Sequence, residues 1–144
     1  MKFTAVIASL SLLFAPTILA QTSVSVSYDT TYDNSAEPLS NLACSDGANG
    51  LEHYGYTTLG SLPDFPYVGG SYIVTGWDST GCGTCWELTY DGTTITVLAV
   101  DTAPEGFNLS EEAMNALTNG QAVAIGRLTA TAVQVNLSQC GLSG

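Results

Sequence analysis

The sequence predicts a mainly β domain: a closed barrel of about six short strands with one or two small helices, cross-linked by two disulfides. Three observations predict it. Apolar residues recur with period two in short stretches separated by Gly, Asp and Asn turns. Two stretches at most carry a helical period. Four cysteines, an even number, follow an apolar leader. At 144 residues the chain has room for one domain.

The leader comes first. Met1-Lys2 supplies one positive charge, residues 5–20 are almost wholly apolar, and the run ends in the small residue Ala20. That order predicts a cleavable secretory signal over residues 1–20 and a mature chain of residues 21–144. A membrane span would need about 20 uninterrupted apolar residues, and Pro16 and several hydroxyl side chains interrupt this one. The expected destination is extracellular, with no membrane insertion.

Residues 22–29 alternate Val24, Val26 and Tyr28 with Ser23, Ser25 and Ser27, as a half-buried strand does. Residues 38–70 are aperiodic and rich in Pro and Gly, which predicts a long structured loop. Within it, residues 49–56 are weakly helical. Residues 71–76 form a short apolar strand around Tyr72, Ile73 and Val74. Residues 86–90 and 94–101 flank Asp91-Gly92, a strong hairpin signal. A helix is expected after Asn108, which can cap it. Glu111 and Glu112 suit its positive end, Gly120 stops it, and Ala113, Met114, Ala116 and Leu117 face the core. Residues 121–126 and 131–137 supply two more strands. Closure into a barrel removes the exposed edges such strands would otherwise leave.

Charge narrows the partners. The chain holds 13 acidic residues against Lys2 and Arg127, and loss of Lys2 takes the formal charge from −11 to −12. Nucleic acid and anionic lipid both demand a basic patch and are repelled; neutral polysaccharide is not. Cys82-Gly-Thr-Cys85 lacks the second CxxC or histidine pair that zinc requires, because His53 is the one histidine. No metal site and no cofactor are implied. A Ser-His-Asp triad has only His53 to build on, without a nucleophile-elbow motif. In an oxidising compartment the cysteines are structural. Pairing Cys82 with Cys85 is geometrically awkward; the other two connectivities both join the middle of the chain to its ends, and spacing does not choose between them.

Several motifs together resemble the cerato-platanins: Val24-Ser-Val-Ser-Tyr28-Asp29, Phe65-Pro-Tyr-Val-Gly-Gly70, Gly76-Trp77-Asp78-Ser79, Cys82-Gly-Thr-Cys85-Trp86, Val100-Asp101, Gly106-Phe107-Asn108 and residues 133–140. The resemblance covers essentially the whole mature chain. It implies a six-stranded double-psi β-barrel like the first domain of plant expansins, and the disulfides Cys44–Cys82 and Cys85–Cys140. It also implies a protein secreted by a filamentous fungus and associated with the cell wall. Such a protein binds chitin oligomers, loosens cellulose-like polysaccharide without hydrolysing it, and elicits plant defence, which brings in a plant receptor.

Glycoside hydrolysis normally takes two carboxyl groups. Asp101, at the end of an apolar strand, is the first candidate, and it matches the aspartate that wall loosening in the family is thought to need. The segment Phe107-Asn108-Leu109-Ser110 is similar to the Phe-Asp-Leu-Ser run of expansins and related endoglucanases, but an amide replaces the acid. Asn108 hydrogen-bonds in both senses yet has no proton to deliver. No catalytic residue is therefore assigned. Asp101 and Asn108 are expected to bind sugar, with Tyr28 and Asp29 lining the same shallow groove and Gly106 allowing close approach. Asn108 and Asn136 also sit in glycosylation patterns. Trp86, beside Cys85, is expected in the core. Competing functions are a hydrolase with another acid, such as Asp29 or Asp78, and a hydrophobin-like surface-active protein.

Overall fold

A computed structural model describes residues 20–143 together with Ala5 and residues 8–11. The secretory signal expected over residues 1–20 therefore lies for most of its length outside the described residues. Six strands, β1 (Thr22–Tyr28), β2 (Val68–Ser71), β3 (Cys85–Tyr90), β4 (Thr93–Thr102), β5 (Phe107–Leu109) and β6 (Arg127–Val135), close into one barrel in the order β1-β5-β2-β4-β3-β6. The pairs β1/β5 and β2/β4 are parallel and the others antiparallel. Two helices, α1 (Glu111–Thr118) and the single turn α2 (Ala122–Ile125), follow β5. The expected six-stranded barrel is the one observed, with parallel and antiparallel pairs mixed.

Strand β1 alternates as the sequence requires, with Val24 and Val26 buried and Ser25 and Ser27 half-exposed. The β3–β4 hairpin turns on Asp91 and Gly92, both at positive φ (47° and 78°), which is the type I′ geometry that suits strand twist. Inside the barrel Val26, Leu88, Val97, Phe107 and Leu109 are buried, and Phe107 packs edge-on against Trp86 and Tyr72. Each such side chain contributes about 1.5–3 kcal/mol by leaving water. Trp86 is in the core, as expected.

Four expectations need correction. The strand expected at 71–76 lies earlier, at Val68–Ser71, and Val74 N–H returns to the Ser71 carbonyl in a turn. Gly69 and Gly70 carry no side chain, so they hid the period of a fully buried strand. Residues 121–126 form helix α2 rather than a strand; Asn115 Oδ1 accepts from Ala122 N–H at 3.0 Å, and Val123 is left exposed. An unbroken apolar run cannot by itself separate these two states. Strand β6 begins at Arg127 and ends at Val135, because Leu128, Ala130 and Ala132 face inward. Asn108 does not cap α1. It lies in β5, and Ser110 caps the helix by accepting from Ala113 N–H at 3.0 Å.

The loop expected at 38–70 ends sooner, because its last three residues belong to β2; before them lie three 3-10 turns, Leu39–Asn41, Leu51–Tyr54 and Leu59–Ser61, whose leucines are buried in the core. Cys44–Cys82 and Cys85–Cys140 are bonded, with Cα–Cα distances of 5.3 and 5.9 Å, which is the pairing the resemblance implies. The first joins the segment between two 3-10 turns to the turn before β3, and the second ties the C-terminal turn to β3 itself. With sequence separations of 38 and 55 residues, each contributes about 4 kcal/mol in the chain-entropy description.

Asp64, in the bend before β2, has one carboxylate oxygen buried without a hydrogen-bond partner. Burial pushes its carboxyl from 3.8 up to about 7. The folded chain holds a proton there that the unfolded chain has released. Stability from this group is full below about pH 4 and is lost as pH rises through about 7. Asp64→Asn is expected to stabilise by about 1 kcal/mol at pH 8, given its partly exposed position, and by little at pH 4. Denaturant melts at the two pH values check this; equal effects would count against it.

Candidate functional site

The register of three strand pairs builds the site. Asp101 on β4 pairs with Gly70 on β2, Gly70 pairs with Asn108 on β5, and Asn108 pairs with Ser27 on β1. Paired residues in a sheet share a face. The four therefore form one row, on the face opposite to the inward Phe107 and Leu109. Asp101 and Asn108 stand two strands apart, about 10 Å between Cα atoms at normal strand spacing, and flank a glycine. Gly70 adds no side chain of its own; it is buried, and the Tyr32 hydroxyl that bonds Asp101 lies over it, so Tyr32 forms part of the floor of this shallow trough.

Each flank is fixed. Asp101 Oδ2 accepts from the Tyr32 hydroxyl at 2.9 Å, while Oδ1 accepts from Ala43 N–H at 3.0 Å and from Thr102 N–H at 2.9 Å. An ionised carboxylate offers about four lone-pair positions, so one remains for a ligand. Tyr32 is buried on the 3-10 turn Thr30–Asp33. Its burial, then the charge and hydrogen bond of Asp101, push the Tyr32 phenol above the ordinary tyrosine range. Asn108 Oδ1 accepts from the Ser27 hydroxyl at 2.9 Å. Among the described residues no protein acceptor meets its NH2 group, which is free to donate. The row thus presents an acceptor on one side and a donor on the other.

The remaining residues anticipated for the groove fall in different places. Asp29 follows β1 and caps the Tyr32 turn by accepting from Thr31 N–H at 2.8 Å; it is exposed and close enough for its charge to bear on Tyr32. Tyr28 pairs with Leu109, so it shares the face of Val26 and packs half-buried against the core, on the other side of the sheet from Asn108. Gly106 precedes β5 at φ 56°; a Cβ there would stand 1.9 Å from the Ser25 carbonyl oxygen. Close contact with β1 accounts for that glycine. Tyr32, Ala43 and Ser27 escaped the sequence reading because register and loop geometry bring them in, though Asp29 followed by a short turn was a usable signal for Tyr32.

Two concavities lie elsewhere and do not include the row. One, of about 250 Å³, lies between residues 22–25, Tyr72, Glu105 and Gly106; the other, of about 310 Å³, is bounded by Asp64, Tyr67 and residues 94–96. Neither brings a second carboxyl to Asp101. Asp78 is outside the row, held in a turn where its Oδ1 accepts from Asn49 N–H. Among the described residues there is no cluster suited to a metal ion, and no helix long and apolar enough to cross a membrane. His53 is exposed. Arg127 bonds Ser25 and lies 3.6 Å from Glu105 at the surface.

A family model described as cerato-platanin matches residues 24–142. The chain belongs to the cerato-platanin family. It is 43% identical over 146 residues to the "Heat-stable 19 kDa antigen" of Coccidioides posadasii, covering 99% of both chains. Among solved cerato-platanins, the crystal structure of cerato-platanin 3 from M. perniciosa superposes with a TM-score of 0.81 at 47% identity, over 84% of this chain and 100% of that one. The solution structure of "the fungal elicitor Cerato-Platanin" gives 0.72 at 42% identity, over 81% and 96%.

Tyr32→Phe removes one of the three donors on Asp101 in this cerato-platanin barrel. It is expected to cost about 1–3 kcal/mol, as for a hydrogen bond to a charged acceptor, read by denaturant melts. The alkaline absorbance titration should keep its amplitude up to the unfolding pH, because the lost phenol does not ionise in that range. A lower amplitude would mean that Tyr32 titrates as a surface tyrosine.

Proposed function

We propose that this protein is a secreted, wall-associated carbohydrate-binding protein. It binds chitin and related N-acetylglucosamine oligomers, loosens packed polysaccharide without hydrolysing it, and is sensed by plant hosts as an elicitor. One observation carries the reading: the row Asp101–Gly70–Asn108–Ser27 offers a fixed acceptor and a free donor on either side of a buried glycine, with a single carboxyl among its four members. Hydroxyl and N-acetyl groups match donor and acceptor at that spacing. An amide in place of the second carboxyl has no proton to give a leaving group. The names borne by relatives, an antigen and a fungal elicitor, are those of proteins met by a host and not of hydrolases.

Loosening follows from competition. The trough replaces chain-to-chain hydrogen bonds in the polysaccharide with bonds to its own groups. Each exchange is worth about 1 kcal/mol net, so several must act together and affinity stays modest. Excess negative charge, −11 for the full chain, keeps nucleic acid and anionic lipid away while leaving neutral glycans unopposed. No cofactor takes part.

Titration with chitin hexamer followed by amide NMR should shift Ser27, Gly70, Asp101 and Asn108 together. Asp101→Asn, which keeps the shape but not the charge, should weaken binding and suppress loosening of cellulose-like material. No shifts at millimolar ligand would overturn the reading. Release of reducing sugar would replace it with a hydrolase.

A further inference from the structure

Trp77 is 62% exposed, far more than a side chain of its size ordinarily is. It is nevertheless held in place. Its Nε1–H donates to Asp46 Oδ1 at 2.7 Å. The turn that carries it is clamped to the 46–49 loop: Asn49 N–H donates to Asp78 Oδ1 at 2.8 Å, and Asn49 Nδ2 donates to the Asp78 carbonyl at 2.9 Å. Asp78 itself sits at φ 57°, a backbone state a non-glycine residue adopts at some cost. The chain thus fixes the edge of an indole and leaves its face to solvent. Exposure forgoes the stabilisation of burial, and the order gained serves no packing.

We infer that Trp77 is a stacking platform for one pyranose ring of the polysaccharide, forming a second subsite beside the Asp101 row. This deepens the carbohydrate-binding reading and rests on it. The apolar C–H face of a pyranose meets the electron-rich face of an aromatic ring favourably, as other positively polarised groups do. The ring stands beside polar groups suited to the hydroxyl rim of a sugar. The Asp46 carboxylate, whose Oδ1 also accepts from Ser45 Oγ at 3.3 Å, belongs to an exposed residue. The Trp77 hydrogen bond holds that carboxyl below its ordinary range, so it is charged and accepting in mildly acidic media. A protein partner fits less well. The other large exposed apolar residues among those described are Leu10, Tyr54 and Val123, and Trp77 stands alone on its turn. A stable protein interface would need about 1,000 Å² with an apolar centre.

The platform also lies near the trough. Ala43 donates to Asp101, and Asp46 orients Trp77, at two points of one loop. They are three residues apart, at most about 11 Å of chain. Cys44, between them, is anchored to β4 by its N–H to the Val100 carbonyl at 3.2 Å and by its disulfide. An oligosaccharide longer than the trough can therefore reach both, and preordering of the ring reduces the entropy lost on binding.

The test compares Trp77→Ala, Trp77→Phe and Asp101→Asn with the wild type, using calorimetry with chitin hexamer and cellohexaose. Trp77→Ala is expected to lose about tenfold in affinity for the preferred hexamer, and Trp77→Phe much less, with unchanged melting temperatures. In the wild type, ligand should also protect Trp77 from acrylamide quenching, a readout that needs no variant; Trp86 is buried and contributes little. Unchanged affinity in Trp77→Ala with weakened Asp101→Asn would overturn the platform and leave the trough standing. The reverse pattern would keep the platform and discard the trough. No binding of either hexamer by the wild type, with no protection from quencher, would sink both.

Discussion

Strand β2 is squeezed between β4 and β5, and the functional face depends on how closely it is squeezed. A Cβ on Gly70 would lie 2.4 Å from the Thr102 carbonyl oxygen and 3.3 Å from the Tyr32 hydroxyl. No side chain fits. Because none is present, the two neighbouring strands approach at normal ladder spacing and Tyr32 reaches over the gap to Asp101. A larger residue would push β4 away and separate Asp101 from both Tyr32 and Ala43. Barrel closure and trough geometry are thus set by the same missing atom.

Asp101 is where stability and the proposed binding meet. Its carboxylate gathers the Tyr32 turn, the loop at Ala43 and its own strand end. The adjoining Cys44–Cys82 bridge anchors that loop a second time. Residues 30–50 contain no strand and would be costly to order otherwise, since fixing each residue costs about 1–2 kcal/mol of backbone entropy. A charged acceptor with several donors is worth more than neutral bonds in the same places. A second carboxylate plays a parallel part at helix α1, where Asp33 accepts from Glu111 N–H at 2.8 Å and Glu112 N–H at 3.0 Å. It favours the positive end of that helix and fastens the Tyr32 turn to it. The acidic composition is in this respect structural as well as repulsive.

The elements legible in the sequence were those with a local period or a local turn. Strand β1 alternates cleanly, Asp91-Gly92 dictates its hairpin, and the acidic first turn of α1 announces a helix start. What escaped was decided non-locally. Strand β2 is half glycine, β5 has three residues, and Ala122–Ile125 has no period to read. The same division holds for the site. Asp101 and Asn108 were marked by motif resemblance, and strand register brings them to one row. Their partners Tyr32, Ala43 and Ser27 are 69, 58 and 81 positions away from the residues they bond, beyond any local pattern. Gly106 illustrates the converse: a glycine in a motif can be demanded by a neighbouring strand and need not face a ligand.

A carboxylate bonded as Asp101 is differs from one awaiting a proton. Three protein donors define its orientation before any ligand arrives, and its remaining acceptor position points in one fixed direction. Such a group costs little to reorganise when a hydroxyl docks, which favours recognition. General acid or base work asks for something else: a second titrating group placed across the scissile bond, with its own proton to move. On this face the complementary position is Asn108, whose oxygen is already committed to Ser27 and whose remaining atoms only donate. The proposed exchange of hydrogen bonds at a preformed surface asks for many weak contacts along a polymer in place of one strong one. In the platform proposed for Trp77, an exposed indole anchored by Asp46 lengthens the surface without adding charge or a reactive group.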